Sequence, residues 1–301
     1  MSNNYFSNRE INNIYRYDIT EIKNRDIIAR RAVQILVGKL HKIYPKNDIP
    51  NLLKNKDIFN NYYSDFIKRE WTTERDNIKD LLDKHNKLII KPIDGSWGKD
   101  IAVICNLYET YNKPLIYRKG KFIIEEYIKG CDYLQKYNNS SLNTIRVITI
   151  RHKENCNIFA AQFRIGVGKS CVDNCHKGGI YLKIDITNGN CIDFATDAWG
   201  NYYYTHPTSH LILSNIIIPK WNDILDFAKK AAFMTDNIIT GWDIAVTEDY
   251  NLELIEGNSC PDFDMVQAPE RKGCKKELYA ALNNILNTNE IDYEKLIYEN
   301  L

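Results

Sequence analysis

Asp243, Glu256 and Asn258 are the residues of this chain whose types and spacing best support chemistry. They lie in two apolar runs, Gly241-Trp242-Asp243-Ile244-Ala245-Val246 and Leu252-Glu253-Leu254-Ile255-Glu256-Gly257-Asn258, flanking Glu248-Asp249-Tyr250-Asn251. Such a pair predicts a β-hairpin with a four-residue loop. Symmetric pairing about that loop sets Val246 opposite Glu253, Thr247 opposite Leu252 and Asp243 opposite Glu256. Side chains alternate across a strand, so Asn258 shares the face of Glu256, one step further along. Opposed carboxylates repel by about 0.2–1 kcal/mol, or more when desolvated. A cation between them is therefore expected. Two acids and an amide oxygen form a hard, all-oxygen set that suits Mg²⁺ holding nucleotide phosphates. The competing reading is a surface hairpin with scattered acids, and a register that gathers all three donors on one face argues against it.

Three further segments carry chemistry. Lys91-Pro92-Ile93-Asp94-Gly95-Ser96-Trp97-Gly98-Lys99 falls between apolar runs at 88–92 and 101–104, both read as strands. Gly95 and Gly98 allow close backbone approach, so the amides of this loop, Ser96 included, can converge on phosphate oxygens beside the fixed charge of Lys91. It is not a Walker loop, because the lysine precedes the glycines and no helix follows. Glycine and serine are common in strand–turn–strand loops, so alone the segment says little. Glu125-Glu126-Tyr127-Ile128 ends another strand, whose edge can meet an adenine while a nearby carboxylate binds ribose hydroxyls. A strand ending in solvated acids is the alternative. Arg146 and Arg164 fall on strands at 144–150 and 157–164, joined through His152-Lys153-Glu154-Asn155, with Asn174 and Gly178-Gly179 downstream. Arginines so placed clamp a transferring phosphoryl group or a substrate carboxylate. The hairpin register decides whether they share a face, and an odd loop or a bulge brings them together.

The elements that must position these residues follow from the rest of the chain. Its 301 residues hold one large or two modest domains. Lys+Arg at 40 against Asp+Glu at 39 gives no argument for nucleic-acid binding. No apolar run approaches the length of a membrane span, and Met1-Ser2-Asn3-Asn4-Tyr5 lacks the apolar run of a signal peptide, so a cytoplasmic location is expected. The scattered cysteines are expected to be reduced. Cys171, Cys175 and His176, with Cys191, are the one candidate for zinc, at wider spacing than structural zinc pairs. Residues 1–85 read as helices and loops. The amphipathic stretch at 24–40 has a basic outer face; it either packs on its own domain or makes peripheral membrane contact through the basic helix near 24–42. Helices are also predicted from Pro219-Lys220-Trp221, with the proline near the start, to about Met234 and from about Lys275 to Leu286, so the order is α+β with mainly antiparallel sheets. His206 could serve as an acid–base or substrate group, or as a histidine stacked among aromatics.

Taken in order, these pieces resemble the ATP-grasp superfamily. Asn143-Thr144-Ile145-Arg146, Phe163-Arg164, Val172-Asp173-Asn174, Gly178-Gly179, His206-Pro207-Thr208, Pro219-Lys220-Trp221 and Gly241-Trp242-Asp243-Ile244-Ala245 together look like its sugar-transfer-associated family. The order Arg164, Asn174, Gly178-Gly179 is also similar to glutamate-adding ligases that modify ribosomal protein. The resemblance runs from about Lys56 to Glu270. It implies two α+β subdomains gripping ATP between them, with a helical segment at 1–55, a small lobe at about 56–125 and a large lobe at 126–301. It implies that Lys91, Gly95, Ser96 and Gly98 cover the phosphates, that Glu125, Glu126 and Ile128 contact adenine, and that Asp132 binds the ribose. Asp243, Glu256 and Asn258 would hold one or two Mg²⁺, and Arg146, Arg164 and Asn174 would face the γ-phosphate and the acyl intermediate. The implied activity is an ATP-dependent ligation of a small-molecule or saccharide carboxylate to an amine through an acylphosphate. A phosphotransferase with a hydroxyl acceptor and a binding-only nucleotide scaffold are the alternatives. Two departures stand out: Trp97 is bulky where the loop usually carries a small residue, and the region ahead of Lys56 is short for the Rossmann-like domain many such enzymes carry. Cys260 and Pro261 are expected on the acceptor side, with Asp262 and Asp264 repelling anionic acceptors or orienting an amine.

Overall fold

Two antiparallel sheets, with their helices, are the frame on which the candidate residues are hung. The computed structural model describes residues 26–95, 98, 100–112 and 121–298. Ser96, Trp97, Lys99 and the first 25 residues lie outside that description. Helices α1 (Arg30–Ile43) and α2 (Lys56–Tyr62) come first, and Asn55 caps α2 by accepting from the Ile58 amide at 3.1 Å. Strand β1 (Trp71–Thr72), helix α3 (Ile78–His85), strands β2 (Leu88–Pro92) and β3 (Ala102–Ile104), helix α4 (Leu107–Tyr111) and strand β4 (Phe122–Glu126) follow. They form a four-stranded sheet in the order β1-β4-β2-β3. Ile78, Leu81 and Leu82 of α3 close one face of it over Leu88, Ile90 and Ile124. Asn86 ends α3 in the left-handed conformation at φ 58°.

Beyond helix α5 (Asp132–Gln135) the chain builds a seven-stranded sheet. Its members are β5 (Thr144–His152), β6 (Asn155–Ile165), β7 (Ile180–Ile184), β8 (Ala195–Asp197) and β9 (Tyr202–Tyr203). After α6 (Trp221–Phe233) come β10 (Ile239–Val246) and β11 (Leu252–Asn258). The order is β11-β10-β5-β6-β7-β8-β9. Helices α7 (Asp264–Gln267), α8 (Lys275–Leu286) and α9 (Tyr293–Tyr298) close the chain.

Alternation along the central strands dictates what each face meets. Ile145, Val147, Phe163, Leu182, Trp242 and Ile244 turn to α6, where Ile224, Ala228, Ala231 and Ala232 complete the largest core. Ile148, Ile150 and Ile239 turn the other way and are covered at that end by α1, α8 and α9. The rest of that second face carries Arg146, Asp243 and Glu256, the first two buried. The apolar face of α1 (Ala32, Val33, Leu36, Val37 and Leu40) is buried in this core, each larger side chain contributing roughly 1.5–3 kcal/mol. That burial leaves α1 no apolar face to lay on a membrane. Among the described residues no helix is long and apolar enough to cross one. Mixed helices and antiparallel sheets make the fold α+β.

Candidate active site

The β10–β11 hairpin turns more tightly than its sequence suggests. Val246 pairs with Leu252, not Glu253, and the Thr247 amide donates to the Asn251 carbonyl at 2.9 Å. Three residues, Glu248, Asp249 and Tyr250, form the tip, with Tyr250 at φ 59° supplying the left-handed residue such a loop requires. Carried down the strands unchanged, this register would set Asp243 against Ile255. A bulge intervenes: Ile244 pairs with Leu254, Ile255 is the extra residue, and Asp243 pairs with Glu256, followed by Gly241 with Asn258. The three oxygen donors do share a face, by a bulge and not by the symmetric loop.

A second bulge brings in the arginines. From the turn at Lys153-Glu154, Thr149 pairs with Ile158, but Ile148 pairs with Ala160, so Phe159 is extra. Arg146 then faces Gln162 and Arg164 faces Thr144, two residues apart on one face. Arg146 also pairs with Asp243 across β5 and β10. Arg146, Asp243 and Glu256 thus form one row across three adjacent strands. The cation expected between the carboxylates is, in this structure, guanidinium. Arg146 donates from Nε to Asp243 Oδ1 at 2.7 Å and from an Nη to Oδ2 at 2.6 Å, and Arg164 donates to Oδ2 at 2.5 Å. The same Arg146 lies 3.7 Å from Glu256. The other Nη of Arg164 donates to Asp173 at 2.8 Å, and Asp173 accepts from the amide and hydroxyl of Thr144. Gly179 makes that loop possible: a Cβ there would sit 2.2 Å from the Asp173 carbonyl oxygen.

Electrostatics separate the two acids. Burial alone would raise the Asp243 carboxyl, but Arg146 and Arg164 outweigh it and hold Asp243 well below the usual range. Glu256 is pushed up, first by the protein crowded around it and then by the Asp243 charge, against the pull of Arg146 and Lys56. Its side chain keeps 46% of its surface open to the cleft, so water moderates this shift. The repulsion between the paired carboxylates is thus only partly relieved. Asp243 Oδ1 and Asn258 Oδ1 each accept one hydrogen bond, from Arg146 and from the Cys260 amide, leaving each a lone pair. Two acids and an amide with spare acceptor capacity fit a hard divalent cation whose remaining ligands are phosphates or water.

The first sheet contributes the opposite wall. Lys91 ends β2 with its ammonium 2.5 Å from Glu125 Oε2. Glu125 does not point to open space: it is buried, and Asn60 at 2.8 Å and Arg69 at 3.1 Å hold its other oxygen. Burial raises its carboxyl, and Arg69 and Lys91 more than reverse that. Its side chain therefore anchors Lys91 and is not presented to an adenine. Glu126 is half-buried, its amide donating to the Glu70 carbonyl at 2.8 Å and its carboxylate accepting from the Glu70 amide at 3.2 Å. Ile128 is half-buried just beyond β4, and Asp132 is exposed at the start of α5. Gly98, at φ 65°, comes so near the other lobe that a Cβ would lie 3.1 Å from Val172 and 3.5 Å from Asn174. Gly98 is therefore close to the segment that carries Asn174.

Between these walls is a cleft of about 640 Å³, within the range of small-molecule sites. Gly95, Arg146, Arg164, Asn174, Glu256 and Asn258 line it. Cys260, Asp262 and Asp264 line it too. Lys91, Glu125, Glu126, Ile128, Asp132 and Asp243 stand outside the lining, Asp243 behind its arginines. Two residues have no counterpart in the sequence reading. Lys56, at the start of α2, donates from Nζ to the Gly95 carbonyl at 2.6 Å. Burial lowers its ammonium from the ordinary value, with Glu256 pulling the other way. Arg69 is the second. Both sit in a segment with no motif, and only the tertiary fold carries them to the site. His206 is fully buried, with Nε2 2.8 Å from the Gly166 carbonyl and Nδ1 accepting from the amides of Thr208 and Ser209. It is a loop-fixing residue, held by backbone and not stacked on rings. Cys175 and Cys191 belong to different cores, and no group of three or more His, Cys, Asp or Glu able to hold a metal occurs among the described residues.

Comparison with known proteins places this geometry. No curated protein matches the chain. Among solved structures, the ATP-grasp ligase PsnB complexed with minimal precursor, Mg and ADP is 13% identical over 77% of this chain and 59% of its own, with a TM-score of 0.46. Carboxyaminoimidazole ribonucleotide synthase from Aspergillus clavatus, complexed with ATP, is 10% identical over 69% and 45%, at 0.46. D-alanyl-alanine synthetase A from Vibrio cholerae is 11% identical over 79% and 66%, at 0.47. This chain spans less than two-thirds of the length of the first of these. The profile of the sugar-transfer associated ATP-grasp family matches residues 107–284, more than half of the chain, and the chain belongs to that family.

Proposed function

We propose that this protein is an ATP-dependent carboxylate–amine ligase that forms an amide through an acylphosphate. The carrying observation is the row Arg146–Asp243–Glu256 across β5, β10 and β11, whose Arg146 and Glu256 line the cleft together with Gly95. Lys91 and Lys56 supply positive charge from the wall of the first sheet, where a nucleotide's phosphates would lie under Gly95, Ser96 and Gly98. Asp243, Glu256 and Asn258 would hold one or two Mg²⁺, which when bound neutralises phosphate charge. Glu126 and Ile128, with the adjoining backbone, would contact adenine, and Asp132 the ribose.

The substrate carboxylate attacks the γ-phosphorus in line, its C–O oxygen bonding to phosphorus as the bond to the ADP oxygen breaks. Arg146 and Arg164, already ordered by Asp243 and Asp173, present fixed positive charge to the equatorial oxygens, with Asn174 beside them. The amine then attacks the acyl carbon, the C–O bond to phosphate breaks, and the departing phosphate takes the surplus proton of the amine. Asp262 or Asp264 on the acceptor side would orient that amine. Contact of the Gly98 loop with Val172 and Asn174 keeps water from the acylphosphate. The family's association with sugar transfer supports a saccharide carboxylate as one substrate.

The test is Mg²⁺-dependent ADP release with mass spectrometry of products, over uronic acids paired with amino acids or ammonia, with Glu256→Gln as control. A product heavier by the amine less water, absent with the variant, supports the ligase. A stable product heavier by one phosphoryl group replaces it with a phosphotransferase.

A further inference from the structure

Arg69 lies in the connection between α2 and β1, remote in sequence from every residue assigned above. Its side chain is 2% exposed. One Nη donates to Glu253 Oε1 at 2.9 Å and to the Leu254 carbonyl at 2.7 Å. The other donates to Glu125 Oε1 at 3.1 Å, to Asn60 Oδ1 at 3.2 Å and to the Ile255 carbonyl at 3.4 Å. Glu253 is itself fixed by the amides of Lys68 and Arg69. A surface arginine would sample many rotamers, whereas this one joins both lobes in a single geometry.

Its two ends meet two different parts of the site. Glu125 is the carboxylate that holds Lys91, so the Arg69–Glu125 contact fixes where Lys91 stands. Leu254 and Ile255 are the residues at the β11 bulge, and among the described residues β11 is the edge strand of its sheet. A bulge disrupts the ladder and leaves carbonyls needing partners; here one guanidinium takes two successive ones. Without the bulge, the register set by Ile244 and Leu254 would continue. Asp243 would then face Ile255, and Glu256 would turn to the opposite side of the sheet, since a one-residue slip exchanges faces.

We infer that Arg69 is a positioning residue that sets the phosphate-facing Lys91 and the metal-facing Glu256 together, through Glu125 at one end and the β11 bulge at the other. The inference rests on the proposed nucleotide and metal roles of those two residues, but not on which acceptor is used.

The experiment measures ADP affinity of the full chain by calorimetry with and without Mg²⁺, and amide hydrogen exchange along β11 in the ligand-free protein. Glu125→Gln, whose amide oxygen can still accept from Arg69 while its lost charge releases Lys91, is expected to weaken ADP equally in both conditions, leaving the Mg²⁺ enhancement intact. Arg69→Lys, which keeps the charge but cannot span both ends, is expected to weaken ADP and also cut the Mg²⁺ enhancement about tenfold or more. Faster exchange at residues 254–256 should accompany that loss. Should Arg69→Lys fail to fold, Glu253→Gln loosens the same end and is expected to reduce the enhancement in the same direction. An Arg69→Lys or Glu253→Gln protein that melts earlier yet keeps the wild-type Mg²⁺ enhancement and β11 exchange overturns the inference and leaves Arg69 a merely structural residue. A wild-type protein that binds no ADP overturns the nucleotide reading, and the inference falls with it.

Discussion

Asp243 and Glu256 face each other on neighbouring strands, yet removing the charge of one should have the opposite effect from removing the charge of the other. In Asp243→Asn the carboxylate charge is lost and one acceptor oxygen becomes an NH2 donor, so the remaining carbonyl oxygen cannot serve all three bonds that Arg146 and Arg164 donate. Those side chains are 9% and 5% exposed. Breaking a buried ion pair from one side costs about 3–5 kcal/mol. Glu256, 3.7 Å from Arg146, can swing in to compensate, which favours the lower end. Unfolding entropy of roughly 2.1 cal/mol/K per residue makes about 3 kcal/mol a fall in Tm near 5 °C for a chain of this length. Glu256→Gln removes the less favourable of two facing charges, so the ligand-free Tm should hold or rise. The pH dependence carries a sign. The folded Glu256 carboxyl lies above its ordinary value, so its ionisation costs stability at neutral pH. The advantage of Glu256→Gln should fade as pH falls through that raised value and vanish below about pH 4. Calorimetric melting of both variants without Mg²⁺, between pH 4 and 8 at low salt, provides the assay. Equal destabilisation by the two variants, or an unchanged Tm in Asp243→Asn, would refute the claim that Asp243 neutralises the arginines while Glu256 stays poised for a cation.

Three further outcomes follow from the geometry. Lys56→Ala removes a charged hydrogen bond to Gly95 and a cation beside Glu256, so ADP affinity in titration should fall about tenfold or more, while the Asn55 cap keeps α2 folded. Gly179→Ala must displace the Asp173 carbonyl, 2.2 Å from the new Cβ; Asp173 then leaves Arg164, and ADP release should drop about a hundredfold, more than Tm alone explains. Burial lowers the pKa of His206, so the neutral ring favours the fold. That stability is full above the unfolded value of about 6.5 and is lost as pH falls through the folded one, so His206→Gln should flatten the fall in Tm between pH 7 and 5.

What the sequence could and could not disclose divides along physical lines. Strands with strong apolar runs, such as 88–92 and 252–258, and the helix at 275–286 announce themselves by period. β1, β8 and β9 do not, because two or three residues cannot show a period and only pairing with neighbours makes them strands. The approach of Asp243 to Glu256 was legible, though through a compensating error: the loop is one residue tighter than symmetry suggests, and the bulge at Ile255 restores the pair. Whether Arg146 and Arg164 share a face turned on one extra residue, Phe159, which no local pattern marks. Glu125 reads as a solvated or adenine-facing acid because its charge is visible while its burial among Lys91, Arg69 and Asn60 is a property of the assembled lobes. Lys56 and Arg69 were illegible for the same reason.

The two arginines are not equivalent. Arg164 spends one Nη on Asp243 and the other on Asp173, and its Nε is buried with no partner among the described residues. It is locked between two aspartates. Arg146 spends Nε and one Nη on Asp243, and that same Nη lies 3.7 Å from Glu256; its other Nη donates no hydrogen bond among the described residues, and Arg146 lines the cleft. An anion arriving there finds a guanidinium whose orientation was fixed during folding, so binding does not bear the cost of ordering a long side chain. Asp243 is what fixes it. A carboxylate read from sequence as a metal ligand is therefore also the anchor of the anion-facing charge, with Glu256 and Asn258 more open to the cleft. The anchoring and the proposed metal role both need Asp243 ionised, and the arginines that depress its carboxyl keep it so well below neutral pH.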